Sequence, residues 1–334
     1  MRAVVLVGGV GSRLRPLTLS VPKPMLPVGH RPIIERLVAN LVRGGVTDVT
    51  LALGFRPEPF LDAFPDGTCA GARLHYAVEP EPLDTAGAIR FAAEASGIDE
   101  TFVVANGDVL TDLDIAALVE FHRLRRALAT IHLTAVEDPS SFGVVGTDDN
   151  GRVEQFVEKP APGTAPSNLI NAGTYVLEPE VLARIAEGQR SSIERVTFPA
   201  LAAEDRLYAM ATTDYWIDTG RPDLYRSANL DILRGRRAFD RCEPLERGAH
   251  VAPTARISDS LVAAGATVSA GAELVDSVAL GGASIGEDAS VTGSTVMGTV
   301  GTGARLAGCV IGANAVVEPG EVLTGVRRPD PDAV

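Results

Sequence analysis

Short apolar runs alternate with amphipathic stretches through the first two-thirds of the chain. Continuous β-branched runs predict buried strands, and apolar residues at helical spacing predict helices between them. The predicted strands lie at 1–7, 48–53, 73–78, 101–105, 129–136 and 207–211, with a hairpin over 142–157; the predicted helices lie at 31–41, 59–64, 113–126, 179–185, 192–201 and 223–234. Strands that alternate with helices at short intervals are typical of a parallel, doubly wound sheet. We therefore predict an α/β domain over residues 1–234.

The pattern changes after a predicted linker at residues 235–248. Small aliphatic residues then recur near every sixth position, at Val251, Ile257, Val268, Leu274, Leu280, Val310, Val316 and Val322. Phe, Tyr, Trp and Lys are absent from residue 249 onward. A coil of short strands has a narrow interior that admits small aliphatic side chains but no rings. Residues 249–328 are therefore predicted to form a left-handed parallel β-helix of about four coils, with slips near Ile285 and Val300.

Composition narrows the class of partner. The chain has 334 residues and a net charge of −13, which argues against nucleic acid or an anionic membrane as a partner. Three scattered cysteines favour free thiols in a reducing compartment. The apolar N-terminal run is too short for a signal peptide and no stretch is long enough to span a membrane, so we expect a cytoplasmic protein. The end coils of a β-helix usually stack against another domain or subunit, so we expect a homo-oligomer.

A glycine-rich turn with cations follows the first strand. Gly8, Gly9 and Gly11 allow the backbone N–H groups to approach an anion closely. Arg13 follows at once, and Lys23 lies between two prolines; only two of the 30 basic residues are lysine, the other being Lys159. The spacing fits neither Gly-x-Gly-x-x-Gly nor the Walker motif. A strand, a glycine-rich turn and a cluster of cations together predict a phosphate-binding site at the carboxyl edge of a sheet.

Several strings together resemble the signature of the sugar-1-phosphate nucleotidyltransferases. They are Gly-Gly-x-Gly-Ser-Arg-Leu-Arg-Pro-Leu-Thr at 8–18, Pro-Lys-Pro-Met-Leu-Pro at 22–27, Asn-Gly-Asp at 106–108, Phe-Gly-Val-Val at 142–145, Glu-Lys-Pro at 158–160, Asn-Ala-Gly at 171–173 and Trp-x-Asp-x-Gly at 216–220. The resemblance covers the whole chain and implies a Rossmann-like catalytic domain followed by the β-helix. Within the family, the strings are most similar to those of mannose-1-phosphate guanylyltransferases.

The resemblance implies a reaction of a nucleoside triphosphate with a sugar 1-phosphate, giving a nucleotide sugar and pyrophosphate. It implies catalytic roles for Arg13, Lys23, Asp108, Lys159 and Asp218, with Mg²⁺ held by Asp108 and Asp218. The implied nucleotide-binding residues are Val7, Gly8, Gly9, Gly11, Ser12, Arg13, Glu79, Thr85, Ala86, Gly87 and Gly107, and the implied sugar-phosphate-binding residues are Gly143, Glu158, Lys159 and Asn171. GTP and mannose 1-phosphate are the favoured substrates.

The nucleobase preference is predicted from one carboxylate. Guanine presents two adjacent donors, N1–H and the N2 amino group, and one carboxylate can accept both. Glu79 stands where thymidylyl- and uridylyl-transferring relatives tend to carry Gln, so it is the first candidate for selecting GTP, with Glu81 the second. Asp84 departs from the family pattern, which usually has glycine there, and this puts a backbone contact to the base in doubt.

Three alternatives stay open. The same chemistry can act on another sugar or cyclitol 1-phosphate with GTP, dTTP, UTP or ATP. A bifunctional enzyme could transfer acetyl groups on its β-helix, but this needs a longer helix and usually a catalytic histidine, and His250 is the only histidine there. A non-catalytic regulatory homologue is the third alternative, and the presence of Arg13, Lys23, Asp108, Lys159 and Asp218 argues against it.

Overall fold

The structure, a computed structural model, describes residues 1–9, 11–54 and 57–331. The α-helices are α1 (Ile33–Arg43), α2 (Glu58–Ala63), α3 (Asp84–Ala95), α4 (Ile115–Arg125), α5 (Phe198–Ala203) and α6 (Pro222–Leu233). Strands before the β-helix are β1 (Arg2–Leu6), β2 (Pro27–Val28), β3 (Arg31–Pro32), β4 (Asp48–Leu53), β5 (Thr68–Cys69), β6 (Ala72–Val78), β7 (Phe102–Asn106), β8 (Val109–Thr111), β9 (Ala129–Ala135), β10 (Gly143–Thr147), β11 (Val153–Glu158), β12 (Leu169–Leu177), β13 (Leu207–Thr212) and β14 (Trp216–Asp218). No described helix is long and apolar enough to cross a membrane.

The chain forms two compact units. The first, the sheet unit, contains Met1–Gly9 and Ile34–Trp216. The second, the β-helix unit, contains Val10–Ile33 and Ile217–Val334. Gly8 and Gly9 therefore belong to the sheet unit, whereas Gly11, Arg13 and Lys23 group with the C-terminal third of the chain. The predicted ranges 1–234, 235–248 and 249–328 divide the chain by sequence character, and they stay predictions.

The sheet unit is built on one large mixed sheet. Its strands run in the order β11-β10-β12-β7-β1-β4-β6-β5, with β9 beside β12 and β13 beside β9. The pairs β7–β1, β1–β4 and β4–β6 are parallel, as the helix–strand alternation predicts. The predicted hairpin over 142–157 is confirmed, since β10 is antiparallel to β11 and no crossover helix joins them. The sheet also contains a second antiparallel pair, β12 with β7.

Helix α3 and the aromatic residues near α5 close the core of this unit. Ala86, Ile89 and Ala93 of α3 are buried in the same cluster as Phe102 and Tyr175. The Tyr175 ring meets Phe198 edge-on at 5.0 Å between centroids. The helix predicted over 192–201 forms instead as a π-helical turn at Ile193–Thr197 followed by α5. Such turns frequently occur at functional sites.

The β-helix is left-handed and consists of three parallel sheets of five strands. Its strands are β15 (His250–Val251), β16 (Arg256–Ser258), β17 (Leu261–Val262), β18 (Thr267–Val268), β19 (Glu273–Val275), β20 (Val278–Ala279), β21 (Ser284–Ile285), β22 (Ser290–Thr292), β23 (Thr295–Val296), β24 (Thr299–Val300), β25 (Arg305–Ala307), β26 (Val310–Ile311), β27 (Val316–Val317), β28 (Val322–Thr324) and β29 (Arg327–Arg328). Five strands in each sheet exceed the four coils predicted.

One short coil explains the predicted slips of the repeat. Thr267 pairs with Ser284, whereas Ser284 pairs with Thr299, so the coil between Ile285 and Val300 is shorter than the one before it. The interior is filled by Val, Ile, Leu and Ala. At one corner the Ser260 hydroxyl accepts from the backbone N–H of Ser277 at 3.0 Å, and the Ser277 hydroxyl accepts from that of Ser294 at 3.1 Å. These hydroxyls give the turning backbone the partners that buried polar groups need.

Candidate active site

The glycines after β1 are needed because backbones approach each other closely. A Cβ on Gly8 would lie 3.3 Å from the backbone nitrogen of Gly54, and one on Gly54 would lie 3.0 Å from the Gly8 carbonyl oxygen. Gly9 has open space around it. Gly54 follows β4 and carries no motif, so sequence reasoning missed it. The turn thus leaves Gly9 accessible at the carboxyl edge of the sheet, where ligands bind in open α/β folds.

The Asn-Gly-Asp string ends the neighbouring strand, β7. The backbone N–H of Gly107 donates to the Leu6 carbonyl at 2.8 Å. A Cβ on Gly107 would lie 2.5 Å from Cγ1 of Val7, so only glycine fits there. Val7 itself is buried. Asp108 therefore follows directly from a point where two adjacent parallel strands end side by side.

Glu79 lies beneath the glycine-rich turn. Its side chain is only 7% exposed, and its Oε2 accepts the backbone N–H of Leu83 at 2.9 Å. Its Oε1 lies 3.7 Å from where a Cβ on Gly8 would be. Glu81, by contrast, is exposed. The structure therefore brings the first candidate for base selection to the turn and leaves the second in solvent.

The first turn of α3 is closed by the segment at residues 189–194. The N–H groups of Ala86 and Gly87 both donate to the Ser191 carbonyl, at 2.8 and 3.3 Å, and Ala86 is fully buried. The Thr85 hydroxyl donates to Oε2 of Glu194 at 2.7 Å. The Ala86 and Gly87 N–H groups and the Thr85 hydroxyl therefore donate to the segment at residues 189–194. In this geometry they are not free to donate to a nucleotide. Asp84 has a φ of 61°, a left-handed backbone conformation that favours glycine.

Gly143, Glu158 and Lys159 lie together in the sheet unit, where Gly143 of β10 pairs with Glu158 of β11. A Cβ on Gly143 would lie 2.9 Å from Oε2 of Glu158, so the glycine leaves space beside that carboxylate. Lys159 Nζ lies 3.8 Å from Glu158 Oε1, and its side chain is 60% exposed. Burial raises the pKa of Glu158, and the negative charge of Glu194 raises it further. A carboxyl beside an exposed lysine can bind sugar hydroxyls while the lysine binds a phosphate.

Asn171 and Glu194 are further polar side chains of the sheet unit, and each has hydrogen-bond partners. The Asn171 amide donates to the Tyr175 hydroxyl at 2.9 Å and accepts the backbone N–H of Gly173 at 3.0 Å. Both the Ser192 and Thr85 hydroxyls donate to Oε2 of Glu194 at 2.7 Å. Sequence reasoning missed Glu194, because a π-helical turn presents it and no local pattern announces such a turn. Asn171 and Glu194 are therefore held in place by hydrogen bonds, and the charge of Glu194 acts on Glu158.

The β-helix unit contains two of the predicted cationic residues, Arg13 and Lys23. Gly11 has a φ of 63°, and a Cβ there would meet Thr18 at 2.9 Å and Lys23 at 3.2 Å, so the loop folds tightly over itself. Ser12 opens the 3₁₀ turn Ser12–Leu14 that carries Arg13. The Lys23 side chain is buried, 6% exposed, and its Nζ lies 3.5 Å from Oδ1 of Asp218.

Asp218 brings the two cations together. Arg13 Nη2 lies 4.0 Å from its Oδ2, and its Oδ1 accepts the backbone N–H of Gly220 at 2.8 Å. A Cβ on Gly220 would lie 2.9 Å from Arg13 Nη2 and 3.1 Å from Lys23 Nζ, so glycine there leaves both head groups room. The Arg13 side chain is 65% exposed. One carboxylate with an exposed arginine and a buried lysine is suited to binding a polyphosphate.

Comparison with protein families agrees with this arrangement. Residues 2–235 match the family model described as nucleotidyl transferase. The chain belongs to that family. Residues 249–331 of this nucleotidyltransferase match the GlmU-like C-terminal hexapeptide family, in agreement with the β-helix.

Relatives of this nucleotidyltransferase have sugar-phosphate names. The chain is 43% identical over 235 residues to a mannose-1-phosphate guanylyltransferase of Mycobacterium tuberculosis, covering 70% of this chain and 65% of that protein. It is 40% identical over 269 residues to a mannose-1-phosphate guanyltransferase of Yarrowia lipolytica, covering 77% and 73%. A solved structure described as a glucose-1-phosphate thymidylyltransferase of Bacillus anthracis, in complex with sucrose, superposes with a TM-score of 0.63 at 26% identity, covering 69% of this chain and 94% of that one.

Nucleotidyltransferases of this family generally use a divalent metal ion. The described residues contain no preformed cluster of three or more His, Cys, Asp or Glu side chains that would hold one. Asp108 and Asp218 nevertheless offer hard carboxylate oxygens, and the Gly220 N–H orients the Asp218 carboxylate. A cation such as Mg²⁺ prefers one or two carboxylates plus phosphate oxygens and water, so each of these carboxylates is a suitable kind of ligand.

Proposed function

We propose that the chain transfers a guanylyl group from GTP to mannose 1-phosphate, giving GDP-mannose and pyrophosphate. The observation that carries the proposal is a contact between two cations and one carboxylate. Arg13 and Lys23, which follow the glycine-rich turn, both lie within 4.0 Å of the Asp218 carboxylate. The names of the relatives support both the guanylyl group and mannose. An expected homo-oligomer and a cytoplasmic location stay predictions.

The reaction needs two anions to meet. An oxygen of the sugar phosphate forms a bond to the α-phosphorus while the bond from that phosphorus to the bridging oxygen of pyrophosphate breaks. Pyrophosphate leaves with the electron pair, and no covalent enzyme intermediate is needed. Catalysis is therefore mostly positioning and neutralisation of charge.

The cationic residues divide this task by their shapes and exposure. The exposed Arg13 can grip the β- and γ-phosphates with its planar fork. The buried Lys23 presents one compact ammonium, which suits the α-phosphate and the incoming oxygen. Lys159, exposed beside Glu158, suits the phosphate of the sugar substrate. Gly8, Gly9, Gly11 and Ser12 contribute backbone N–H groups to the triphosphate, as glycine-rich turns do elsewhere.

Asp108 and Asp218 are the proposed ligands of Mg²⁺. When bound, the cation supplies positive charge for the phosphate oxygens as pyrophosphate departs. Glu158, Asn171 and Glu194 would accept and donate hydrogen bonds to the hydroxyls of the sugar. Asn171 and Glu194 already have protein partners that fix their orientation, which lowers the entropic cost of binding.

Glu79 is the proposed reader of guanine. Its burial argues against the alternative that it merely faces solvent. Because Oε2 already accepts the Leu83 N–H, guanine would use the lone pairs that Oε1 and Oε2 still offer. Glu79→Gln is a suitable test, since the amide oxygen can keep the Leu83 bond while one acceptor becomes a donor. We expect the preference for GTP over dTTP to narrow about tenfold, given roughly 1–3 kcal/mol for a bidentate base contact.

Exposed Glu81 supplies the matched control for that variant. Glu81→Gln changes the same group two residues away and should leave the preference unchanged. The measurement is kcat/KM for GTP and dTTP in each protein. Equal GTP preference in the wild type and in Glu79→Gln would refute the role of Glu79.

Pyrophosphate release over a substrate panel tests the proposed function itself. The protein is incubated with GTP, dTTP, UTP or ATP, each paired with mannose 1-phosphate, glucose 1-phosphate or a cyclitol phosphate. We expect the largest kcat/KM for GTP with mannose 1-phosphate. A preference for dTTP, UTP or ATP would overturn the guanylyl assignment, and no release with any pair would favour a regulatory homologue.

A further inference from the structure

The carbonyl group of Arg13 lacks the partner that its own turn should supply. In the 3₁₀ turn Ser12–Leu14, the carbonyl of Gly11 accepts from the N–H of Leu14 and the carbonyl of Ser12 from that of Arg15, at 2.9 and 3.1 Å. The next carbonyl in this series belongs to Arg13, and its partner would be residue 16. That residue is Pro16, which has no N–H. A strong backbone acceptor is therefore left open beside a residue proposed to bind phosphate.

The β-helix supplies the missing donor. Arg327 Nη1 donates to the Arg13 carbonyl oxygen at 3.1 Å. Both residues belong to the β-helix unit, although 314 positions separate them in the chain. The donor is a guanidinium, so the hydrogen bond is charge-assisted and stronger than an ordinary one between neutral groups.

Arg327 breaks a regular row of residues on the β-helix. The outward positions of one sheet pair in register from coil to coil as Leu261, Val278, Thr295, Val310 and Arg327. The first four are buried, and three of them are aliphatic. Arg327 occupies the last position, is exposed, and reaches the loop that carries Arg13. Arg327 donates a hydrogen bond to the Arg13 carbonyl. The other four side chains of the row carry no cationic donor and could not do so.

Two further contacts fix this corner. A Cβ on Gly312 would lie 2.9 Å from Cβ of Pro16, so the glycine lets the loop lie directly on the coil. The neighbouring Arg328 donates to both carboxylate oxygens of Glu321 at 2.8 Å and to the Val316 carbonyl at 3.0 Å. These bonds hold strand β29, which carries Arg327, so the donor has a rigid base.

We propose that Arg327 is a positioning residue for nucleotidyl transfer, acting through the backbone of Arg13. It holds the Arg13 carbonyl and so fixes the direction in which the exposed Arg13 guanidinium leaves the loop. The inference rests on the proposed function in one respect, the role of Arg13 in gripping the triphosphate. It assigns the β-helix a part in catalysis besides any part in assembly.

The test compares Arg327→Met with Arg305→Met. Arg305 is an exposed arginine on β25 whose side chain makes no hydrogen bond or ion pair with the described residues, so its loss controls for charge and surface area. We expect kcat/KM for GTP to fall about fivefold or more in Arg327→Met and to stay within twofold in Arg305→Met. Arg327→Lys, which keeps a charged donor, should recover part of the loss. KM for mannose 1-phosphate and the melting temperature should match those of the control.

Hydrogen exchange gives a readout that does not depend on activity. The amides of Leu14 and Arg15 should exchange faster in Arg327→Met than in the wild type or Arg305→Met, because the turn loses its outside support. Faster exchange with unchanged turnover, slower turnover with unchanged exchange, or no difference from Arg305→Met would each overturn the proposal. If the wild type releases no pyrophosphate with any substrate pair, the proposed function fails, and exchange alone then decides whether Arg327 holds the loop.

A second variant keeps the test valid if Arg327→Met does not fold. Gly312→Ala leaves Arg327 intact but places a methyl group against Pro16. We expect faster exchange at Leu14 and Arg15 and a lower kcat/KM for GTP. Gly281→Ala is the control, since a Cβ there would contact only the Ala264 carbonyl oxygen, at 3.3 Å. Equal behaviour of the two alanine variants would contradict the proposed role of Arg327.

Discussion

The sheet unit and the β-helix place their functional residues in opposite ways. In the sheet unit, polar side chains stand where different strands end, as Asp108 does after β7 and Glu79 after β6. In the β-helix positions repeat from coil to coil, and the row of Ile257, Leu274 and Val291 stays aliphatic, as do Leu261 and Val278 at the start of another row. Chemistry there appears where a row is broken, as at Arg327. A strand end is the signal in an irregular fold, whereas an exception to the repeat is the signal in a periodic one.

The largest effect should come from the carboxylates, one in each unit. Asp108→Asn and Asp218→Asn should each lower turnover a hundredfold or more, because a bound divalent ion contributes several kcal/mol to charge stabilisation. Binding of the sugar phosphate alone should change little. Asp114→Asn is the matched control, since Asp114 caps α4 and Asn caps a helix nearly as well. Near-normal turnover of either site variant in Mg²⁺ would remove that residue from the metal site.

Removal of the β-helix should be the next most disruptive change. A chain ending near Arg236 would lose Asp276, which pairs with Arg226 and Arg234 of the α6 region at 2.8 and 3.1 Å. It would also expose the side of α6 that packs on β17. We expect loss of the native subunit number or of solubility, measured by light scattering during size-exclusion chromatography. A soluble truncated protein with the full-length subunit number would mean that the β-helix is not an assembly element.

The two lysines sharpen the comparison, because one is buried in the β-helix unit and the other is exposed in the sheet unit. Lys23 is only 6% exposed, so in Lys23→Arg the larger, planar guanidinium has little room. We expect at least a tenfold loss of turnover, roughly 1.4 kcal/mol. Lys159→Arg has solvent around it and should lose less. Steady-state kinetics in GTP and in the sugar phosphate separate the two. Full activity of Lys23→Arg would mean that the reaction does not require lysine at this position.

A separate effect, on stability and not on turnover, concerns the sheet unit. His132 on β9 is fully buried, its Nδ1 has no partner among the described residues, and burial lowers its pKa to about 4. The folded form thus holds His132 neutral, while the unfolded chain binds a proton below its ordinary pKa of 6.5. The free energy of unfolding should therefore fall as the pH drops from about 6.5 towards 4, by about 3 kcal/mol in total.

Urea unfolding between pH 7.5 and 5 measures this dependence. His132→Gln keeps a polar group for the Thr212 hydroxyl, which lies 2.9 Å from Nε2, but cannot take up a proton. Its stability should depend less on pH than that of the wild type. Identical pH dependence in the wild type and in His132→Gln would exclude His132 as its source.

Local pattern was sufficient for much of this molecule. Strand β4 begins and ends where the apolar run predicted, and the short coil lies at the predicted slips. Contacts between distant segments were not predictable. Closure of the α3 N-terminus by Ser191 and the presentation of Glu194 by a π-helical turn depend on chain that lies about a hundred residues away. No sequence pattern distinguished Arg327 from the other arginines. Only the strand register shows that it follows four buried residues in one row.

The stereochemistry at the α-phosphorus tests the proposed mechanism most directly. In that mechanism the sugar phosphate displaces pyrophosphate in a single in-line step, without a covalent enzyme intermediate. The measurement uses one stereoisomer of a GTP analogue with sulfur on the α-phosphorus, followed by determination of the configuration in the nucleotide-sugar product. We expect inversion of configuration. Retention would require two displacements through an enzyme nucleophile, and it would contradict the proposed roles of Arg13, Lys23, Asp108 and Asp218.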